Sequence, residues 1–472
     1  MKFSEYSSYD GLGLAELIAQ GEISATEAAE IAYQAIESRN PDLNAVLGTV
    51  RDQPFSEGKP FTGVPFLVKE LILQAKGTFS RAGSRATPAI EVPADSNLMS
   101  RFRSAGLQLL GTTQTPEMGY NATTETVAFG PVNNPWKAGV SAGGSSGGSG
   151  AAVASGLVPI AHANDGGGSI RIPASCNGLV GLKPSRDRTP TGPGSSDPLF
   201  SHGIEFVLTR SVRDSAALLD CVAGPDVGAP HIIAAPEKSF ADAAASPMTP
   251  VKVAFVESSL LGLPIHEECA IAANNTAKLL EEMGHTLIPC PIVLDFEEFA
   301  ENINIIWCAF AAQFVAQLSA VTGCKVDNDN FEAVTLACAD FGAKTTAPQI
   351  LNALDYVNRI SRETATAFED FDVILSSTMS APPAVHGFLN QNDELISAID
   401  WTRKTFQYAA NTPLFNSTGQ PAISLPTHWT ADGLPIGTQL AAGMGQEGLL
   451  LSLASNLESA CDWKSRQCSL WS

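Results

Sequence analysis

The segment Ser141-Ala142-Gly143-Gly144-Ser145-Ser146-Gly147-Gly148-Ser149-Gly150 admits two readings. Gly/Ser runs of this density behave as flexible linkers. The residues that follow argue otherwise. Ala151–Leu157 is a good helix former and Val158–His162 has strand character, so the run reads as a turn that feeds a helix N-terminus. Such a turn aims backbone N–H groups at one point, where a phosphate or an oxyanion fits. A phosphate loop of the G-x-x-x-x-G-K-[ST] kind needs a lysine after its last glycine. Here Gly148 is followed by Ser149, which argues against nucleotide binding.

A second glycine cluster comes soon after: Asn164-Asp165-Gly166-Gly167-Gly168-Ser169-Ile170-Arg171-Ile172-Pro173. Consecutive glycines at a strand end let backbone amides approach a ligand closely. A serine directly behind them can present its hydroxyl beside free N–H donors, the pairing that acyl transfer requires. A serine hydroxyl is a weak nucleophile and needs a base. Of the seven histidines, His162 is the nearest in sequence, but on a strand it has no evident route to Ser169 and reads as a buried strand residue. Lys69 ends the apolar run Val64-Pro65-Phe66-Leu67-Val68. A lysine buried there would lose proton affinity, and the neutral amine could accept a proton. Taken by itself, Lys69 reads rather as a lysine emerging at a strand end to pair with an acid.

The flanking chain alternates between the two periodicities. Gly11–Gln20, Ala25–Arg39 and Asn97–Ala105 are expected helices, while Asn44–Val50, Val64–Val68 and Gln108–Leu110 are expected strands. The alternation predicts an α/β sheet with helices on both faces. Residues 226–250 lack periodicity and read as a long surface connection. Val251–Val256 begins another strand and Glu267–Met283 a helix. Phe296–Ala367 is helix-rich and reads as a cap over one end of the sheet. Val373–Ser376 and Ala422–Leu425 are expected strands and Leu449–Ser459 a late helix.

Composition narrows the functions. With 28 Lys plus Arg against 49 Asp plus Glu, the formal charge is −21, which disfavours nucleic acid and anionic membranes as partners and suits a small, uncharged substrate. The first residues lack a basic region followed by an apolar one, and no run reaches about 18 uninterrupted apolar residues. A cytoplasmic protein without a membrane span is expected. The nine cysteines are scattered, odd in number and without a C-x-x-C pair, as in a reducing compartment.

Together these residues resemble the amidase signature family. Gly143–Ser149, Asp165–Pro173 and Gly181-Leu182-Lys183-Pro184 occur in the family's order, with 24 residues from Ser145 to Ser169. Gly63–Lys69, Thr209–Asp214 and Asn416–Gly443 also match, and the likeness is weakest between 226 and 410. Asn134-Pro135-Trp136 and Ala161–Asp165 are similar to bacterial amidases of the 6-aminohexanoate cyclic-dimer hydrolase type. The resemblance implies a mixed, twisted β-sheet flanked by helices on both faces, in a single amidase domain over 1–472. Its parts would be a catalytic core at 60–225, a helix-rich variable cap at 226–410 and a C-terminal strand–helix part of the core at 411–472.

It further implies hydrolysis of a linear or cyclic amide, an anilide or a carbamate (a urethanase activity) without cofactor or metal. Ser169 would be the acylated nucleophile. Ser145, after a cis peptide, would relay its proton to Lys69. Gly166, Gly167, Gly168 and Ser169 would form the oxyanion hole, supported by Ser146, Asp165 and Arg171. Met118, Gly119 and Cys308 would line the substrate pocket, although Cys308 read from its own surroundings is a packed helix cysteine. The chain departs from the family pattern at Glu70, Thr112, Gln114, Asn164 and Cys176, none of which is expected to touch the three catalytic groups. The resemblance also implies a homodimer. Two alternatives stay open: the glutaminase-like A subunit of a tRNA-dependent amidotransferase, and an inactive binding protein on the same fold.

Overall fold

The computed structural model describes residues 1–194 and 197–468. Residues 195 and 196 of the 60–225 part, and the last four of the 411–472 part, lie outside the described residues. Eleven strands form one sheet. In chain order they are β1 (Val46–Thr49), β2 (Pro65–Lys69), β3 (Gln108–Thr113), β4 (Ile160–Asp165), β5 (Val180–Lys183), β6 (Ile204–Thr209), β7 (Lys252–Phe255), β8 (Thr286–Pro289), β9 (Val373–Ser377), β10 (Ala422–Trp429) and β11 (Pro435–Ala442). Their spatial order is β1-β3-β2-β4-β6-β5-β10-β11-β9-β7-β8. β2 runs parallel to β3 and β4, β7 parallel to β8 and β9, and the remaining neighbours are antiparallel. The inner strands β2, β4, β5 and β6 are buried along their whole length, which explains the apolar run that leads to Lys69 on β2. The sheet's two edges, β1 and β8, are partly exposed.

Two short helices bring the glycine clusters to the sheet: α1 (Gly147–Ala154) and α2 (Arg171–Asn177). The expected helix Ala151–Leu157 starts four residues earlier, inside the glycine run. Glycine normally weakens a helix by about 1 kcal/mol, but here close packing demands it. A Cβ on Gly148 would stand 2.5 Å from the Gln114 backbone nitrogen. The cap is built from α3 (Phe296–Thr322), α4 (Ala333–Lys344), α5 (Ala347–Ala367) and α6 (Ala398–Tyr408).

Several expectations need correction. Residues 226–250 contain a short helix, Phe240–Ala245, whose first N–H groups are held by Ser239 and Asp220. The 226–410 stretch is more than a cap, because β7, β8 and β9 belong to the main sheet. Strands β5, β6, β8 and β11 are not among those expected from the sequence. By length and composition, α3 is long and apolar enough to cross a membrane. In the fold it packs against α4, α5 and α6.

Candidate active site

β2 delivers Lys69 to the interior, where its side chain is wholly buried. Its Nζ donates to Ser145 Oγ at 2.7 Å and to Asn164 Oδ1 at 2.5 Å. Burial drives the Lys69 pKa down from 10.5 to about 7, with Asp165 and Glu205 opposing that fall. Asn164 is itself fixed by donating Nδ2 to the Leu71 carbonyl at 2.9 Å. The expectation that no departure from the family pattern touches the three groups is therefore overturned at Asn164. A residue at the end of β4 faces the end of its parallel neighbour β2, a contact that becomes visible only once the two strands are paired.

Ser145 follows a cis Gly144–Ser145 peptide at the entry to α1. Ser146 Oγ donates to the Asn164 carbonyl at 3.2 Å, tying this turn to β4. Ser169 lies between the glycines and α2 and lines the same cleft as Ser145. In this conformation its hydroxyl makes no hydrogen bond among the described residues, so the Ser145–Ser169 link is open.

Asp165 organises the glycine loop. Its carboxylate accepts from the Gly168 N–H at 2.6 Å, from the Ile170 N–H at 3.1 Å, and from Arg171 Nε and Nη2 at 2.9 Å each. Burial would raise its pKa, but Arg171 and the other donors outweigh burial and hold it at about 2. Arg171, also fully buried, donates onward to Gln439 Oε1, the Thr412 carbonyl and Asn416 Oδ1. The Gly168 N–H is thus engaged by Asp165 and drops out of the expected donor set. The N–H groups of Gly166, Gly167 and Ser169 have no partner among the described residues. Gly168 has another reason to be glycine: its φ is 135°, and a Cβ would lie 2.4 Å from Thr412 Oγ1.

Met118 and Gly119 also line the cleft. A Cβ on Gly119 would come within 3.3 Å of Ser145 Oγ. Cys308 is corrected. It lies fully buried, donating to Asn304 Oδ1 at 3.3 Å, and does not line the cleft. Trp307 and Phe310, three residues apart and so on one face of α3, line it instead. The Trp307 indole stacks on Tyr120 with ring centroids 4.2 Å apart. Sequence reading passed over Trp307 for its neighbour, although the aromatic pair at helical spacing was the available signal. It also assigned no role to Asn164, Glu205, Thr412, Asn416 or Gln439. His162 is a buried β4 residue packed against Phe102.

Among the described residues, no group of three or more His, Cys, Asp or Glu could hold a metal ion. A larger cavity, lined by Tyr9, Trp136, Arg210 and Trp463 among others, contains none of the residues above.

An 11-stranded mixed sheet carrying a buried Lys–Ser pair beside a glycine-loop serine defines a class of hydrolase, and the amidase family model matches residues 29–451. This chain belongs to the amidase signature family. It is an enzyme that hydrolyses carbon–nitrogen amide bonds. It is 34% identical over 473 residues to a 6-aminohexanoate-cyclic-dimer hydrolase of Paenarthrobacter ureafaciens, covering 97% of this chain and 96% of that one. It is 35% identical to a putative amidase, AmiC, of Mycobacterium leprae, over 96% of this chain and 95% of that one. A solved 6-aminohexanoate cyclic dimer hydrolase superposes with a TM-score of 0.92 at 32% identity, covering 99% of each chain. A bacterial aryl acylamidase shares the fold, with a TM-score of 0.84 at 24% identity over 98% of this chain and 97% of that one.

Proposed function

We propose that the chain hydrolyses a small linear or cyclic amide, anilide or carbamate through an acyl-enzyme on Ser169, with Ser145 and Lys69 as its proton relay. One observation carries the reading. A dry lysine whose pKa has fallen to about 7 donates at 2.7 Å to a serine that shares a cleft with Ser169.

The neutral Lys69 amine accepts the Ser145 proton as Ser145 Oγ accepts the Ser169 proton, once the Ser169 side chain turns toward Ser145. Ser169 Oγ then bonds to the carbonyl carbon, and the oxyanion takes hydrogen bonds from the Gly166, Gly167 and Ser169 amides. As the C–N bond breaks, the proton returns through Ser145 to the departing amine. Water, deprotonated along the same path, cleaves the ester and frees the acid. Each oxyanion donor contributes about 100- to 1,000-fold in rate. Asp165 and Arg171 hold the loop and touch no substrate. The apolar walls from Leu71, Ile72, Leu199, Trp307 and Phe310 suit an uncharged chain next to the reacting carbonyl. A reducing, cytoplasmic setting belongs to the same reading and is supported by nine scattered cysteines without a C-x-x-C pair.

The test is an amine-release panel of amides, anilides and carbamates, run beside Lys69→Ala and Ser169→Ala. Turnover of at least one class, abolished in Ser169→Ala and strongly reduced in Lys69→Ala, is expected. Wild-type turnover in both variants would discard the relay.

A further inference from the structure

The cleft contains a carboxyl group that the proton relay does not use. Glu205 lies on β6 directly opposite Asn164 of β4, and directly opposed residues in an antiparallel pair project to the same face. It therefore stands beside the Asn164–Lys69 contact. Its Oε1 is buried and pairs with His162 Nε2 at 3.3 Å, which leaves Oε2 for the cleft. Burial lowers the His162 pKa against the opposing pull of Glu205, so the ring is a weak counter-cation. The second oxygen, Oε2, accepts no hydrogen bond among the described residues. The side chain retains 7% exposure, and Glu205 lines the cleft with Ser145 and Ser169. The neighbouring walls are apolar, so a donor that enters the cleft finds few acceptors other than Oε2.

We propose that Glu205 determines specificity by accepting a hydrogen bond from a protonated amine on the substrate, so that favoured substrates are amides carrying a primary alkylammonium arm. This refines the uncharged substrate expected from composition: the chain beside the carbonyl is apolar and its far end is cationic. The inference rests on the reading that this cleft is the reaction site. A net charge of −21 favours the approach of such a cation.

Two matched pairs test it. One is 6-aminohexanoyl p-nitroanilide against hexanoyl p-nitroanilide. The other is N-(6-aminohexyl)acetamide against N-hexylacetamide, with the cation on the amine side. A charge-assisted hydrogen bond of about 1.5–3 kcal/mol corresponds to a preference of roughly 10- to 100-fold. We expect wild-type enzyme to favour the cationic member of one pair by that factor, mainly through KM, and Glu205→Gln to bring the ratio toward one. Both members of a pair meet the same Lys69, so any change in the base cancels in the ratio. Calorimetric binding of hexylamine against 1-hexanol to wild-type enzyme at pH 8 needs neither turnover nor a folded variant, and tighter binding of the amine by at least about 10-fold is expected. Wild-type ratios near one in both pairs, a ratio retained in Glu205→Gln, or equal binding of amine and alcohol would each overturn the role of Glu205. Failure to hydrolyse any of the four amides, with hexylamine still bound tightly, would instead count against the proposed reaction.

Discussion

Replacing Asn164 by alanine removes the carbonyl that Lys69 Nζ meets at 2.5 Å, the only one it meets among the described residues, and leaves the 2.7 Å contact with Ser145 in place. An ammonium donates a stronger hydrogen bond than an amine: about 1.5–3 kcal/mol for a charged donor against about 0.5–1.5 for a neutral one. The Asn164 carbonyl therefore favours the protonated lysine by about 1 kcal/mol, somewhat less than one pH unit. Without it, Lys69 should titrate below its present value of about 7. In wild-type enzyme kcat/KM should rise with pH through about 7 as the amine becomes neutral, and level off above it. In Asn164→Ala that rise should move about 0.5–1 unit lower, while the plateau falls roughly 10-fold or more because Nζ loses one of its two tethers. The assay is a pH profile of p-nitroanilide hydrolysis between pH 5 and 9. A rise that stays at its wild-type position, or moves to higher pH, would refute the assignment of Lys69 as the titrating base.

Three other outcomes are expected. Because the Lys69 pKa falls on folding from 10.5 to about 7, the unfolded chain binds more protons between those values, and stability should increase with pH across that window. The burial cost, about 5 kcal/mol below pH 7, is absent in Lys69→Met, so chemical denaturation of that variant should lack the slope; parallel curves would contradict the buried-amine assignment. Arg171→Met leaves the Asp165 carboxylate buried without its cation and should lower stability by about 3–5 kcal/mol, read as a clear fall in the calorimetric midpoint; an unchanged midpoint would remove Arg171 from its supporting role. Trp307→Ala should raise KM roughly 30-fold through lost apolar contact worth about 2 kcal/mol, and Cys308→Ala should leave KM within about twofold. The reverse order would restore Cys308 to the cleft.

Local chemistry made much of this molecule legible. The helix Gly11–Gln20 keeps the boundaries its periodicity gives, and Ser24 caps the next helix through a capping box with Glu27. Lys69 and Ser169 were candidates from their surroundings, a lysine after an apolar run and a serine behind glycines, whereas the role of Ser145 and the choice of Lys69 as base came from the resemblance to the family. Hidden features depend on partners distant in sequence. Asn164 and Glu205 come together only through the pairing of β4 with β6. Arg171 reaches Asn416 and Gln439 across some 250 residues, contacts no spacing rule can foresee. The choice between Trp307 and Cys308 turns on which side of α3 faces the cleft. That is settled by α4, where a Cβ on Gly342 would stand 1.8 Å from the Cys308 carbonyl oxygen. The engagement of the Gly168 amide was equally invisible, because it depends on the carboxylate turning back onto its own loop.

The central claim is that Ser169 becomes acylated with Lys69 as the ultimate base. Acid-quenched turnover of hexanoyl p-nitroanilide, followed by intact-protein mass spectrometry and peptide mapping, tests it most directly. The expected result is one hexanoyl group on Ser169, absent in Ser169→Ala and slow to form in Lys69→Ala. An acyl group mapped to another residue, or undiminished turnover by Ser169→Ala, would contradict it.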